Sequence, residues 1–154
     1  LAQAAQRTGY NPEIILAGRR VNDGMGEYVA DQVVKLMLRK GIQVLGSKVL
    51  VLGFTFKENC PDVRNTKVID IVHTLEEYNA EVTVHDPWAD PVIAKHEYGI
   101  ELYNNLPEDK FDAIILAVAH NKFNDLDISR ITNGTKVVYD VKGVLSEEVI
   151  DGKL

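Results

Sequence analysis

A second cysteine is missing from this chain. Its 154 residues contain only Cys60, so no internal disulfide can form, and a lone thiol fits a reducing compartment. Long apolar runs are also absent: none approaches the ~20 residues that span a bilayer, and no signal-peptide pattern is present. A cytoplasmic protein is therefore expected. Positive charge is in deficit, with a formal net charge of -6, which argues against a broad nucleic-acid surface but leaves room for a local basic pocket. The four histidines, His73, His85, His96 and His120, have no metal-ligand spacing, so no metal site is expected. Internal repeats and low-complexity segments are lacking too.

What remains has the balance of an ordinary globular protein: 45% hydrophobic and 26% charged residues, enough chain to bury a real core. The sequence begins at Leu1, without an initiator Met and within a helical pattern, and is expected to be part of something longer. Residues 1–41 read as helical. Asn11, Pro12 and Glu13 form a helix start, with a capping side chain, proline at the first helical position and an acid near the positive end. Met25, Val29, Val33, Leu36 and Met37 recur at helical spacing; one long helix is expected despite Gly24 and Gly26, with Gly41 as its stop. "KGIQVLGSK" then reads as a hinge.

From residue 46 to 154 the pattern alternates strand and helix. "KVLVLGF" is a nearly continuous apolar run, as a strand covered on both faces requires. Val68, Ile71, Val72 and Leu75 mark a helix face, with Asn65 as its candidate cap. "EVTVHDP", the weak edge "IELY", the central "FDAIILAVAH" and "TKVVYDV" read as further strands. "DPVIAKHEYG" reads as a short helix and "FNDLDISRIT" as a helical turn. Short links and alternation predict a parallel sheet with right-handed crossovers. Ligands of such sheets bind beyond the carboxyl ends of the strands, where strand order reverses. That rule selects residues 53–64, 86–90, 120–123 and 140–143.

The first of these loops, "VLGFTFKENCPDVRNT", lacks the G-x-G-x-x-G fingerprint that lets a backbone approach a dinucleotide pyrophosphate. Only Gly53 is present, followed by bulky Phe54 and Phe56. Asp86 stands where an acid would hold a ribose, but without the glycines it reads as a turn residue of "HDP". Lys57 and Arg64 fit an anionic ligand or, equally, a solvated polar loop, with Asp62 between them to orient or neutralise Arg64. Cys60 has no evident histidine base and sits before Pro61, so it reads as an ordinary loop cysteine rather than a nucleophile. His120 reads as a strand-end polar residue and Trp88 as a loop anchor over the sheet edge.

The stretch "GFTFKENCPDVRNT" resembles the G-x-x-F-K-x-x-x-x-D-x-R-x-S/T signature of the UDP-glucose/GDP-mannose dehydrogenase family, the nucleotide-sugar 6-dehydrogenases. "AGRRVNDGM", "EVTVHDPWAD" and "FDAIILAVAHNKF" extend the likeness in family order over nearly the whole chain. The wording is most similar to the branch acting on UDP-N-acetylhexosamines, which includes UDP-N-acetylgalactosamine dehydrogenases of capsule, Vi-type and O-antigen synthesis. The resemblance implies a homodimer whose helical middle includes residues 1–41. It also implies that residues 46–154 form a Rossmann-like three-layer domain that binds a UDP-sugar. It implies that Phe56 and Lys57 contact the nucleotide-sugar and that Arg64 reaches towards an NAD held mainly by another domain. Lys142 stands where some relatives have a substrate-contacting arginine, and lysine supplies the charge without the bidentate fork.

The implied reaction is a double oxidation at C6, from alcohol to aldehyde to carboxylate, with a catalytic cysteine capturing the aldehyde. The glycine-rich NAD motif and the G-G-S-C-x-P-like cysteine segment do not occur in this sequence, and Cys60 does not match the latter. No catalytic residue is expected here; the chain alone is expected to be inactive and at most a weak UDP binder. Oxidation of UDP-glucose instead, or a non-catalytic anion- or protein-binding α/β module, are the alternative readings.

Overall fold

The computed structural model describes residues 13–154. The helix start expected at Asn11 and Pro12 lies outside the described residues. One continuous helix, α1 (Glu13–Arg39), opens the described chain. Its predicted apolar face is real over its second half, where Val29, Val33 and Met37 are buried. Gly26 has a separate reason to be glycine: a Cβ there would lie 2.5 Å from the Cβ of Asp70, so the helix backs directly onto the next one. Gly41 closes the helix with φ of 73°, and the N–H of Ile42 returns to the carbonyl of Met37 at 2.9 Å.

The sheet follows: β1 (Lys48–Leu52), α2 (Val68–Glu77), β2 (Glu81–His85), α3 (Pro91–Tyr98), β3 (Leu102–Tyr103), β4 (Phe111–Leu116), β5 (Thr132–Asp140) and β6 (Gly152–Lys153). Two short 3-10 turns, Asn121–Phe123 and Ile128–Ile131, connect β4 to β5. The six strands are all parallel, in the order β3-β2-β1-β4-β5-β6. This is the expected Rossmann-like α/β architecture, with "FDAIILAVAH" supplying a central strand. The sixth strand was not expected; at two residues it carries no pattern to detect.

Alternation within the strands divides the interior in two. Val49 and Val51 of β1 face a large core built with α1, α2 and α3, whereas Leu50 and Leu52 face a smaller one with Ile114, Leu116 and Val138. Phe123, Ile128 and Ile131 of the 3-10 turns close the smaller core, so the third layer is made of turns rather than helices. Each fully buried aliphatic or aromatic side chain in these layers contributes ~1.5–3 kcal/mol.

Helix starts follow local chemistry. Asp90 caps α3 by accepting the N–H groups of Val92 and Ile93, with Pro91 next and Gly99 ending the helix at φ of 73°. The expected cap of α2 is corrected: Asn65 takes a left-handed conformation, φ 58°, and the helix begins only at Val68, whose N–H donates to Thr66 Oγ1 at 3.3 Å. No helix among the described residues is long and apolar enough to cross a membrane.

Candidate functional site

Strand order reverses between β1 and β4, because the chain runs outward from β1 to β3 and then crosses back to β4. A crevice is expected beyond the carboxyl ends of these two strands, and the loops that follow them meet there. Gly53 ends β1 at φ of 87°, its N–H donating to the carbonyl of His85 at 2.8 Å. A Cβ on Gly53 would lie 2.5 Å from Val118 Cβ and 2.8 Å from its carbonyl oxygen. The close approach that a glycine permits is used here by protein, not left for a pyrophosphate.

Beyond Gly53 the loop is wired to a buried pair. Asp86 and His120 are both fully buried, with Asp86 Oδ2 and His120 Nε2 2.9 Å apart. Asp86 Oδ2 also accepts the N–H groups of Phe54 (2.7 Å) and Thr55 (3.0 Å), and Oδ1 accepts those of Trp88 (2.7 Å) and Ala89 (3.0 Å). Burial pushes the Asp86 carboxyl up, but the His120 bond and the backbone amides outweigh it and hold it well below the usual carboxylate range. Asp86 is thus the expected turn residue and more, a joint between the loops after β1, β2 and β4. The reading of His120 as a plain strand-end polar residue is corrected: the apolar packing of Phe123 and the closing loop removes it from solvent altogether.

On its other edge, His120 Nδ1 accepts the N–H of Asn59 at 2.9 Å. Asn59, left-handed at φ of 55°, accepts the N–H of Asn121 through Oδ1 at 3.0 Å. Thr55 Oγ1 donates to the carbonyl of Lys57 at 2.9 Å, and the N–H of Phe56 donates to the carbonyl of Asp62 at 2.7 Å. Tyr98 Oη donates to the carbonyl of Val63 at 2.7 Å, while its ring meets Phe54 edge-on.

The family model for the UDP binding domain of the UDP-glucose/GDP-mannose dehydrogenase family matches residues 50–147, which include every residue of this network. The chain belongs to that family. It is 52% identical over its whole length to the UDP-N-acetyl-D-glucosamine 6-dehydrogenase of Pseudomonas aeruginosa, covering 37% of that protein. It is 42% identical over 98% of its length to Protein CapL of Staphylococcus aureus, covering 36%. The crystal structure of an NDP-N-acetyl-D-galactosaminuronic acid dehydrogenase from Methanosarcina mazei superposes with a TM-score of 0.80 at 26% identity, over 89% of this chain and 30% of that one. The chain therefore spans little more than a third of the length of the curated relatives it matches.

Within this UDP binding domain the residues singled out from sequence divide into distinct electrostatic states. Lys57 is exposed, and its ammonium makes no hydrogen bond or ion pair with the described residues, although its charge reaches Asp62. Phe56 beside it is 61% exposed, which is unusual for a phenylalanine on a tightly pinned loop. Arg64 is held by Asp62 through Nε (2.9 Å) and Nη2 (2.8 Å). That bidentate bond, with the Arg64 backbone N–H, holds the Asp62 carboxyl down at about 2. Cys60 is half-buried near Arg64.

Lys142 lies two strands along the same edge, outside the Asp86–His120 network. Its turn is fixed by Asp140, fully buried, which accepts the N–H groups of Lys142, Gly143, Val144 and Leu145 at 2.7–2.9 Å. Trp88 is 41% exposed, and the Lys122 ammonium lies 5.0 Å from its ring centroid, a cation–π contact between the loops after β2 and β4. A cavity of about 990 Å³ lies elsewhere. It lies on the second face of the sheet, lined by residues such as Ser129, Lys136 and Leu145, and touches the network only at His120. Lys57 and Phe56, on the loop after β1, are not among the residues that line this cavity.

Proposed function

We propose that this chain supplies the UDP-sugar-binding half of an NAD-dependent nucleotide-sugar 6-dehydrogenase acting on a UDP-N-acetylhexosamine. The carboxylate product would serve capsule or O-antigen polysaccharide synthesis. The observation that carries the reading is Lys57: an ammonium with no hydrogen-bonding partner among the described residues, on a pinned loop at the strand ends where strand order reverses. A diphosphate brings the negative charge that such a cation lacks. Phe56 adds exposed apolar surface at the same point, and Lys142 adds a second positive charge along the edge.

NAD, when bound, accepts the hydrides of the oxidation. This chain fits only an outer contact to it. Gly53 is filled by Val118 and so offers no pyrophosphate cradle, whereas Arg64 spends Nε and Nη2 on Asp62 and keeps its remaining N–H edge for an anion. The chain's own residues bind and orient; they move no proton and form no bond to substrate. Residues 1–41 are assigned, in this reading, to the helical middle that builds a cytoplasmic homodimer.

Titration of the chain with UDP tests the reading. Saturable binding that weakens about tenfold or more in Lys57→Ala, the loss of one charge-assisted contact, is the expected result. Equal affinity in the variant would place the ligand elsewhere.

A further inference from the structure

We infer that His120 is a positioning residue for the ligand loop, gripping it on both sides of Lys57 in a single neutral tautomer. The inference deepens the UDP-sugar reading and rests on it for the identity of the ligand, though not for the grip itself.

The tautomer follows from the partners. The backbone N–H of Asn59 can only donate, so Nδ1 must accept and carries no proton. Nε2 faces the Asp86 carboxylate at 2.9 Å and Thr55 Oγ1 at 3.2 Å. The Thr55 hydroxyl proton is already given to the carbonyl of Lys57, so its oxygen is an acceptor towards the ring. Both neighbours of Nε2 therefore call for an N–H, and Asp86 orients the ring as a carboxylate does for a ligating or catalytic histidine. Through Nδ1 the ring holds residue 59; through Nε2 and Thr55 it holds the carbonyl of residue 57. Phe56, Lys57 and Glu58 are exposed between Thr55 and Asn59, the two residues that meet the ring, so the side chains that meet the ligand stand on a backbone fixed from beneath. His120 itself is 0% exposed, so a ring nitrogen that loses its partner is left unsatisfied.

Two variants separate the two bonds. In His120→Asn the shorter amide places an oxygen where Nδ1 was and still accepts from Asn59. In His120→Gln the longer amide reaches Asp86 but leaves the Asn59 N–H unpaired. Long-range proton–nitrogen NMR of the parent chain is expected to show a protonated Nε2 and an unprotonated Nδ1 at neutral pH. Amide exchange at Asn59 is expected to accelerate at least about tenfold in His120→Gln, with a similar loss of UDP affinity, and to be largely restored in His120→Asn. A protonated Nδ1, or parental Asn59 protection in His120→Gln, would overturn the grip. An opened Asn59 with unchanged UDP affinity would overturn the positioning role. If the parent chain binds no UDP, the ligand reading fails by itself, and the tautomer and exchange data still decide the grip. Should His120→Gln fail to fold, the parent tautomer and the His120→Asn exchange carry the decision.

Discussion

Asp86 Oδ2 receives the Nε2–H of His120 at 2.9 Å with neither side chain exposed to solvent, which makes one hydrogen bond common to three loops. Removing the buried carboxylate leaves the His120 Nε2–H and four backbone N–H groups without an acceptor, a loss of ~3 kcal/mol or more. Asp86→Ala is therefore expected to lower the urea midpoint by that equivalent, with the m-value unchanged. A cost below about 1 kcal/mol, in the range of exposed pairs, would show that the pair contributes little.

The same carboxylate sets the acid limit of the fold. Its pKa is depressed in the folded chain, so its stabilisation is present above the unfolded value of about 4 and is lost as pH falls below it. His85 acts at higher pH. Burial lowers its pKa, against the opposing bond to the Tyr103 carbonyl, so the unfolded chain binds the proton first. Stability is then expected to begin falling as pH drops through about 6.5, and to fall again below about 4. Urea midpoints between pH 3 and 8 check both steps; Asp86→Asn should flatten the lower one and His85→Phe the upper one.

Gly53→Ala is expected to be costly for two reasons at once. The residue holds φ of 87°, and the new methyl would meet Val118 at 2.5 Å against backbone as well as side chain. Overpacking and a left-handed alanine together amount to about 2–4 kcal/mol. Thermal unfolding should show a clearly lowered Tm, and a Tm within a degree of the parent would contradict the close approach.

The Asp62–Arg64 fork makes a spectroscopic prediction. The Asp62 carboxyl titrates at about 2 because Arg64 bonds it through two nitrogens and its backbone N–H. In Arg64→Gln the carboxyl resonance is expected to move its midpoint back towards about 4, while UDP affinity stays near that of the parent. A large loss of UDP binding would instead place Arg64 on the UDP-sugar.

Asp140 offers a parallel case further along the edge. It has no histidine partner but accepts four consecutive backbone N–H groups. Asp140→Ala is expected to open the turn carrying Lys142, raising amide exchange at residues 142–145 and destabilising the chain by roughly 3 kcal/mol, since hydrogen bonds to a charged group are worth ~1.5–3 kcal/mol each and part is recovered by water. Exchange confined to the parental rate would assign the turn's order to other contacts.

How much of this could be seen in the sequence depended on whether the signal was local. The strands β1, β2, β4 and β5 were legible because apolar, β-branched runs between turn residues have few other uses. The rule of strand ends located the four loops that the fold does bring to one edge. The wiring between them was not legible. His120 looks like any polar residue closing a strand, because its burial depends on Phe123 and its partner amide is 61 residues away. Asp86 announced its turn through "HDP" but not its bonds to Phe54 and Thr55, and the backbone amides collected by Asp140 have no sequence pattern. Asn65 misled because asparagine favours both a helix cap and the left-handed region, and tertiary packing of the loop selected the second.

The glycine at position 26 bears on mechanics. From that contact with Asp70 onward, α1 is embedded in the same core as β1 and β5, while Ile15 and Val21 on its earlier turns face outward. The helix is therefore a lever clamped at one end. A force applied to its outer turns cannot be taken up by a slack linker, and it would tilt the whole sheet, with Lys57 and Arg64 riding on the rim.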